Sequence, residues 1–176
     1  MVFSALFMAL GFIFPLFFHM AGLGSGLGKV FLPMFWPLAA CGFFLSPVYA
    51  LLTGLLTPVV SRFLTGMPPS PFMELMMIEL AVLAITASVL HRKSSLGIFW
   101  IVLFSLLVSR LCTWLIAGVI GPLLGLFPEG YSFSQIIVGL PGIIVMLIYV
   151  PLIVSQILHM PLFSSVKHVH SPSRIF

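Results

Sequence analysis

Charged residues are scarce in this chain of 176 residues: they make up 6% of it, and Asp and Glu together number three. Hydrophobic residues make up 61%, and the mean hydropathy is +1.30. A soluble domain of this length carries much more charge and could not hide so much apolar surface in one core. The composition therefore excludes a soluble globular protein and predicts an integral membrane protein, with no separate soluble catalytic or ATP-binding domain.

Cysteine is also scarce. Cys41 and Cys112 each lie inside an apolar segment, far in sequence from any second Cys, His or Asp. A small buried hydrophobic side chain is the common role of such a cysteine. His168 and His170 are two residues apart in the C-terminal tail, which is a weak pattern for metal ligands. We therefore predict no disulfide bond and no metal site.

The seven Lys and Arg residues are scattered singly or in one pair, although the isoelectric point is near 9.5. A nucleic-acid interface needs a basic stripe, so we predict no nucleic-acid partner. The glycine-rich segment 22–28 precedes Lys29 but has Leu23 and Val30 where a phosphate loop has Gly and Ser or Thr. We interpret this segment as a flexible connection or a lid over a pocket, and not as a nucleotide site.

Long apolar runs recur along the chain, and about 20 helical residues are enough to cross a bilayer. Proline, glycine and serine separate these runs at Ser46-Pro47, at the TGMPPSP segment 65–71 and at segment 121–135. The first run has no basic start and no cleavage pattern, so we expect a retained helix and not a signal peptide. The sequence predicts six transmembrane helices, at about 1–18, 33–45, 47–64, 71–90, 97–120 and 136–158.

Six crossings place both termini on one side of the membrane. With the termini cytoplasmic, that side holds Arg92, Lys93, Lys167 and Arg174, against Lys29 and Arg62 outside. The predicted fold is an all-α membrane bundle with cytoplasmic N and C termini. We expect one transmembrane substrate-binding domain over 1–176, with a flexible cytoplasmic tail at about 162–176.

Glu74, Glu79 and Arg110 fall within the predicted helices and are candidates for function, because charge at bilayer depth is costly. Glu79 lies roughly 13 Å and Arg110 roughly 15 Å from the outer helix ends at 1.5 Å per residue. The two are therefore expected either to bind a ligand or to pair with each other. Glu74 points about 140° away from Glu79 on the same helix, and we expect it to face the ligand. Trp114, one turn from Arg110, could cover an aromatic ligand or anchor the helix at the interface.

Polar side chains near the outer rim complete the candidate site. His19, Tyr131, Ser134 and Gln135 all lie in the predicted outer loops. An amphipathic side chain at the interface explains His19 and Tyr131 without a ligand, so both interpretations remain open.

Segment 32–79 contains four distinctive motifs: LPMFWP at 32–37, GFFLSPVYA at 42–50, SRFLTGMP at 61–68 and MELMMIEL at 73–80. With these motifs the segment resembles the substrate-binding S components of energy-coupling factor (ECF) transporters. SRLCTW at 109–114 and GLPGIIVMLIYVPLIV at 139–154 are similar to the last two helices of that family. The resemblance therefore covers nearly the whole chain.

The resemblance implies a six-helix protein of a prokaryotic cell membrane that binds a vitamin or related micronutrient at its outer face. It implies no enzymatic activity and no cofactor of its own, because a T component and two ATP-binding subunits drive import with ATP. Ala5 and Ala9 match the Ala-x-x-x-Ala pattern with which the family contacts its T component. Met67, in the TGMPP turn, joins the expected substrate-binding residues.

At two places the sequence differs from the family's motifs, which limits what can be inferred about its substrate. Phe35-Trp36 stands where relatives often have His, and Tyr49-Ala50 replaces a frequent Tyr-Gly. We therefore assign no relative's substrate to this chain. Two other classes stay open: an intramembrane enzyme using Glu74 or Glu79 as acid or base, and a helical scaffold in which Glu79 and Arg110 merely pair.

Overall fold

In a computed structural model of the chain, the described residues form helices and no strands. The structure describes residues 2–20, 30–123, 125 and 131–159, with side chains described at 2–17, 30–122, 125 and 137–159. The glycine-rich segment and the C-terminal tail discussed above lie outside these ranges. We number the helices α1 Val2–Met20, α2 Phe35–Phe44, α3 Pro47–Thr65, α4 Phe72–Lys93, α5 Ile98–Thr113 and α6 Tyr131–His159.

Four segments are long and apolar enough to cross a membrane: Pro47–Thr65, Phe72–Lys93, Ile98–Ile120 and Ile137–His159. Val2–Phe17 and Phe35–Phe44 are shorter apolar helices. The prediction of a multi-pass helical membrane protein agrees with this architecture. Helix α2 has 10 residues, which span about 15 Å, or half of a hydrocarbon core of about 30 Å.

The turns lie where proline and glycine predicted them. Ser46 is the N-cap of α3 and Pro47 occupies its first turn, where a missing N–H breaks no hydrogen bond. Gly66 ends α3 with φ of 74°, a left-handed conformation that glycine adopts without steric cost. Pro37 lies in the first turn of α2, where its missing N–H breaks no helical hydrogen bond.

Three predicted boundaries were wrong by several residues. Helix α4 ends at Lys93 and not at residue 90, so His91, Arg92 and Lys93 form its last turn. Helix α6 begins at Tyr131 and not at residue 136. Polar residues led us to predict a loop over 131–135, but the nearest helix breakers are Pro128 and Gly130. Similarly, α1 continues to Met20 because the first glycine after it is Gly22.

Helix α4 is central in the bundle and contacts α2, α3 and α5. Small residues allow two of these contacts to be very close. A Cβ on Gly54 of α3 would lie 2.6 Å from the Ala81 Cα of α4, and a Cβ on Gly42 of α2 would lie 2.6 Å from the Ala87 Cβ. Close backbone packing of this kind stabilises membrane bundles, where lipid is as apolar as the protein interior. The fully buried large side chains lie between these helices, and include Phe35, Leu38, Leu80, Leu83, Ile101, Val102, Met146 and Val154.

Candidate functional site

Glu79 of α4 and Arg110 of α5 form an ion pair inside the bundle. Arg110 Nη1 lies 2.8 Å from Glu79 Oε1, and the two side chains are 13% and 5% exposed. Equal helix depth left two roles open for these residues, ligand binding or pairing with each other, and the structure shows them in contact. Thr113, almost one turn beyond Arg110, places its hydroxyl within reach of the same carboxylate. Each charge reduces the cost of burying the other, because a paired charge is far less costly in a low-dielectric interior than an isolated one.

The ring of Phe35 covers one face of the Arg110 guanidinium. The Arg110 Cζ atom lies 5.1 Å from the ring centroid, which is within the range of a cation–π contact. Phe35 is the first residue of α2 and is 2% exposed. The pair is thus held between the N-terminal half of α4, the last turn of α5 and the N-terminal end of α2.

The backbone immediately before α2 is irregular. Val30 and Phe31 are helical, but Leu32 has φ of 49° and a turn follows at Pro33 and Met34. The Phe35 N–H donates to the Leu32 carbonyl at 2.9 Å. We predicted a helix from residue 33, so the turn at Pro33 and Met34 corrects the predicted start of α2 to Phe35. A positive φ is rare for a branched side chain, and such positions persist only where the surrounding structure holds them.

Contacts with α6 hold this interruption in place. Gly142 packs directly against the backbone of Val30 and Phe31, where a Cβ would lie 2.7 Å from the Phe31 carbonyl carbon. The Trp36 indole N–H donates to the Phe31 carbonyl at 3.0 Å, and the Trp36 ring stacks on Tyr149 of α6 at 6.2 Å between centroids. Irregular backbone at membrane depth is tolerated where it is buried in protein, as it is here.

Gly139 connects the interruption with the ion pair. A Cβ on Gly139 would lie 3.1 Å from Leu32 Cδ1 and 3.7 Å from Arg110 Nη2. Helix α6 therefore presents bare backbone, without a side chain, towards both the break and the guanidinium. The Nε and Nη2 atoms of Arg110 are buried and donate to no described group.

A second group of polar residues lies at the ends of α3 and α4, apart from the ion pair. Glu74 is exposed and accepts a 2.6 Å hydrogen bond from the Ser70 hydroxyl. Arg62, nearby, contacts the Met73 sulfur at 3.9 Å. A groove of about 310 Å³ lies beside them and is lined by Val59, Arg62, Phe63 and Met73. The structure thus separates the two glutamates, as their spacing predicted, and it places Glu74 on the surface.

Trp114 is 44% exposed and begins a π-helical stretch, Trp114–Ile120, that continues α5. The wider turns of π-helix are uncommon and occur often at functional sites. This stretch begins directly after Thr113 and lies four residues from Arg110. The sequence did not predict it, because no proline or glycine marks its start.

The remaining predicted residues are dispersed. Met67 is 53% exposed in the turn after α3, and its carbonyl accepts a hydrogen bond from the Ser61 hydroxyl at 3.1 Å. His19 lies in the last turn of α1, and Tyr131 and Gln135 lie in the first turns of α6, not in loops. The side chains of these three residues are outside the described part of the chain. Ala5 and Ala9 are exposed on α1.

Sequence reasoning missed Phe35, Thr113 and Gly139 as neighbours of the ion pair. Gly139 and Gly142 share a helix face at a spacing of three, which was a visible signal for close approach of another backbone. Phe35 had no such signal, because its position depends on the break at Leu32. The site that the structure assembles is therefore Glu79, Arg110, Thr113, Phe35 and Gly139, which we call the ion-pair site.

In comparisons with known proteins, no family model matches the chain, and no curated protein or solved structure shows significant similarity to it.

Proposed function

We propose that this chain is the substrate-binding membrane subunit of an ECF-type importer. In this proposal it binds a vitamin or related micronutrient at the outer face of a prokaryotic cell membrane. A T component and two ATP-binding subunits then drive delivery to the cytoplasm. The motif resemblance suggests the family, and the observation that carries a binding function is the buried Glu79–Arg110 pair beside an interrupted membrane segment.

Two physical arguments support binding at this position. Ionisable side chains at membrane depth are rare, and they usually serve a substrate path or a binding site. Membrane transport proteins often build such sites from discontinuous helices, whose broken ends leave polar backbone near the ligand. The break at Leu32–Met34 is the discontinuity in this chain, and Phe35 joins it to Arg110.

The proposed topology treats Val30–Phe31, the break and α2 together as one interrupted crossing. Counting α1 as well, the chain then crosses six times, with both termini in the cytoplasm. Arg92 and Lys93 in the last turn of α4 lie on the cytoplasmic side in this arrangement, in accord with the positive-inside rule. In this arrangement Glu79 lies closer to the outer end of α4 than to its cytoplasmic end.

A surface for the T component is also available in this proposal. Ala5 and Ala9 lie one turn apart on the exposed side of α1, among large apolar side chains such as Leu6, Ile13 and Phe17. Small residues let a neighbouring helix approach closely. Such a strip suits contact with another membrane helix.

A helical scaffold subunit is the second candidate, and the ion pair itself favours it. A scaffold needs Glu79 and Arg110 only to satisfy each other, and they are in contact. The two candidates differ in what they predict for small molecules, since only the importer subunit must bind one. The experiment below separates them on that basis.

The test is ligand binding by the purified full-length protein in mild detergent. We expect native mass spectrometry to detect a co-purified small molecule, or a panel of water-soluble vitamins to contain a compound that raises the unfolding temperature. A ligand at 100 times its Kd stabilises the folded state by about 2.7 kcal/mol, which thermal unfolding detects readily. If no compound co-purifies and none in the panel stabilises the protein, the importer proposal is wrong and the scaffold is favoured.

A further inference from the structure

The two edges of the Arg110 guanidinium have different surroundings. Nη1 faces Glu79 at 2.8 Å, whereas Nε and Nη2 are buried and donate to no group in the described part of the chain. In a planar guanidinium the Nε–H and Nη2–H bonds lie side by side on one edge and form a rigid fork. The ion pair with Glu79 therefore leaves one complete two-donor edge of Arg110 free of described partners.

This edge is fixed in position, and the helix beside it has no side chain at Gly139. The Phe35 ring holds one face of the guanidinium at 5.1 Å, and Glu79 holds the Nη1 end. On the Nη2 side, a Cβ on Gly139 of α6 would lie 3.7 Å from Nη2. A fork whose orientation is already fixed loses little conformational entropy when it binds an acceptor.

Buried charged donors without an acceptor are costly, and native proteins retain few of them. We propose that the Nε–Nη2 edge of Arg110 binds the carboxylate of a small organic acid, and that the importer's substrate belongs to this chemical class. This inference rests on the proposed function and narrows it to carboxylate-bearing substrates.

The fork geometry favours a carboxylate over a neutral carbonyl. A carboxylate offers two oxygens in one plane and accepts from both donors at once, whereas a single carbonyl oxygen does not match both. The Glu79 carboxylate contacts Nη1, so an acid on the other edge lies farther from Glu79 than from the guanidinium, and attraction outweighs repulsion. The positive end of the α2 backbone dipole, at Phe35, adds to this preference.

The test compares acids with their closest neutral analogues. Pantothenate is paired with panthenol and nicotinate with nicotinamide, and any co-purified compound found by native mass spectrometry is added with its amide. Binding to the full-length protein is measured by calorimetry and thermal unfolding. Arg110→Lys keeps the charge beside Glu79 but removes the fork. Gly139→Ala adds a methyl group 3.7 Å from Nη2, and Gly97→Ala, where a Cβ would meet nothing within 4 Å, is the matched control.

We expect an acid to bind and its neutral analogue to bind much more weakly. Arg110→Lys should weaken binding of the acid by roughly 10- to 100-fold, the range for a charge-assisted pair of hydrogen bonds. It should leave the affinity for the neutral analogue unchanged. Gly139→Ala should also weaken binding of the acid, whereas Gly97→Ala should leave that affinity unchanged. If Arg110 had only a structural role, Arg110→Lys would not alter the ratio of the affinity for the acid to the affinity for its neutral analogue.

Other results separate the inference from the function on which it rests. If the protein binds a compound equally well with and without its carboxylate, or if Arg110→Lys leaves acid affinity unchanged, the inference is overturned and the importer proposal stands. If no compound binds to the folded protein, both are overturned.

Discussion

Gly142 of α6 lies directly against the backbone of Val30 and Phe31. A side chain at this position would begin inside the neighbouring segment, with its Cβ 2.7 Å from the Phe31 carbonyl carbon and 2.8 Å from the Phe31 Cα. This contact holds in place the short stretch that precedes the break at Leu32. It therefore supports the position of Phe35, and through Phe35 that of Arg110.

Replacing Gly142 by Ala should destabilise the protein by about 1–3 kcal/mol, as overpacking of a rigid site typically does. The atoms in the way are backbone atoms, which cannot rotate aside. Gly139→Ala should cost less, because its nearest neighbour is the end of the Leu32 side chain, at 3.1 Å. Thermal unfolding in detergent measures the difference, with Gly97→Ala as control. Equal stability of Gly142→Ala and Gly97→Ala would contradict this packing.

The sequence predicted similar depths for Glu79 and Arg110 but not the surroundings of their contact, for a physical reason. The rise per residue of a helix is constant, so counting residues from the helix ends gave Glu79 and Arg110 similar depths. The break at Leu32 depends on contact with Gly142, which is 110 positions away in the sequence. The helix propensity of neighbouring residues cannot predict such a distant contact. The stacking of Phe35 on Arg110 depends on this contact, so it could not be predicted either.

The sequence predicted the helices themselves better than it predicted where they begin and end. Apolar runs separated by proline and glycine indicated helices α1 to α6, because a membrane leaves the backbone few alternatives. The start of α6 at Tyr131 depended on polar residues that are compatible with both loop and helix. Similarly, no proline or glycine marks the start of the π-helical stretch at Trp114.

Glu79→Gln should destabilise the protein by about 3–5 kcal/mol, the usual cost of removing one partner of a buried ion pair. The remaining Arg110 charge is buried and has no other described carboxylate beside it. Glu74→Gln is the matched control on the same helix, because Glu74 is exposed and bonded only to Ser70 among the described hydrogen bonds. That control should leave the unfolding temperature unchanged.

A double variant then shows how much of the loss comes from the unpaired charge. Glu79→Leu with Arg110→Met replaces the pair by apolar side chains and should be clearly more stable than Glu79→Gln alone. This variant should not bind substrate, since Arg110 is proposed to hold the ligand. If Glu79→Gln changes neither stability nor affinity, Glu79 has no role in the ion-pair site.

Ser88 and Ser105 provide a further comparison. Both are fully buried, and each donates a 2.7 Å hydrogen bond to a backbone carbonyl. The Ser88 hydroxyl reaches Leu45, at the end of α2, whereas the Ser105 hydroxyl bonds Ile101 in its own helix. Ser88→Ala should cost about 1–3 kcal/mol, because the Leu45 carbonyl loses a partner from another helix. Ser105→Ala should cost much less, since the Ile101 carbonyl keeps its helical hydrogen bond. Equal losses in thermal unfolding would contradict the bridging role of Ser88.

Replacing Ala5 and Ala9 together by Leu should separate binding from transport. Both residues are exposed on α1, so larger side chains meet no described part of the bundle and should leave thermal stability and substrate affinity unchanged. Assembly with the T component should be lost, because a close helix contact does not accommodate two leucines. Pull-down of the complete transporter and uptake by cells measure this loss. Val108→Leu, at a side chain of α5 that is 42% exposed, is the control for enlarging a lipid-facing residue and should preserve uptake. If the double variant loses substrate affinity instead, the alanines belong to the fold or the binding site and not to an interface.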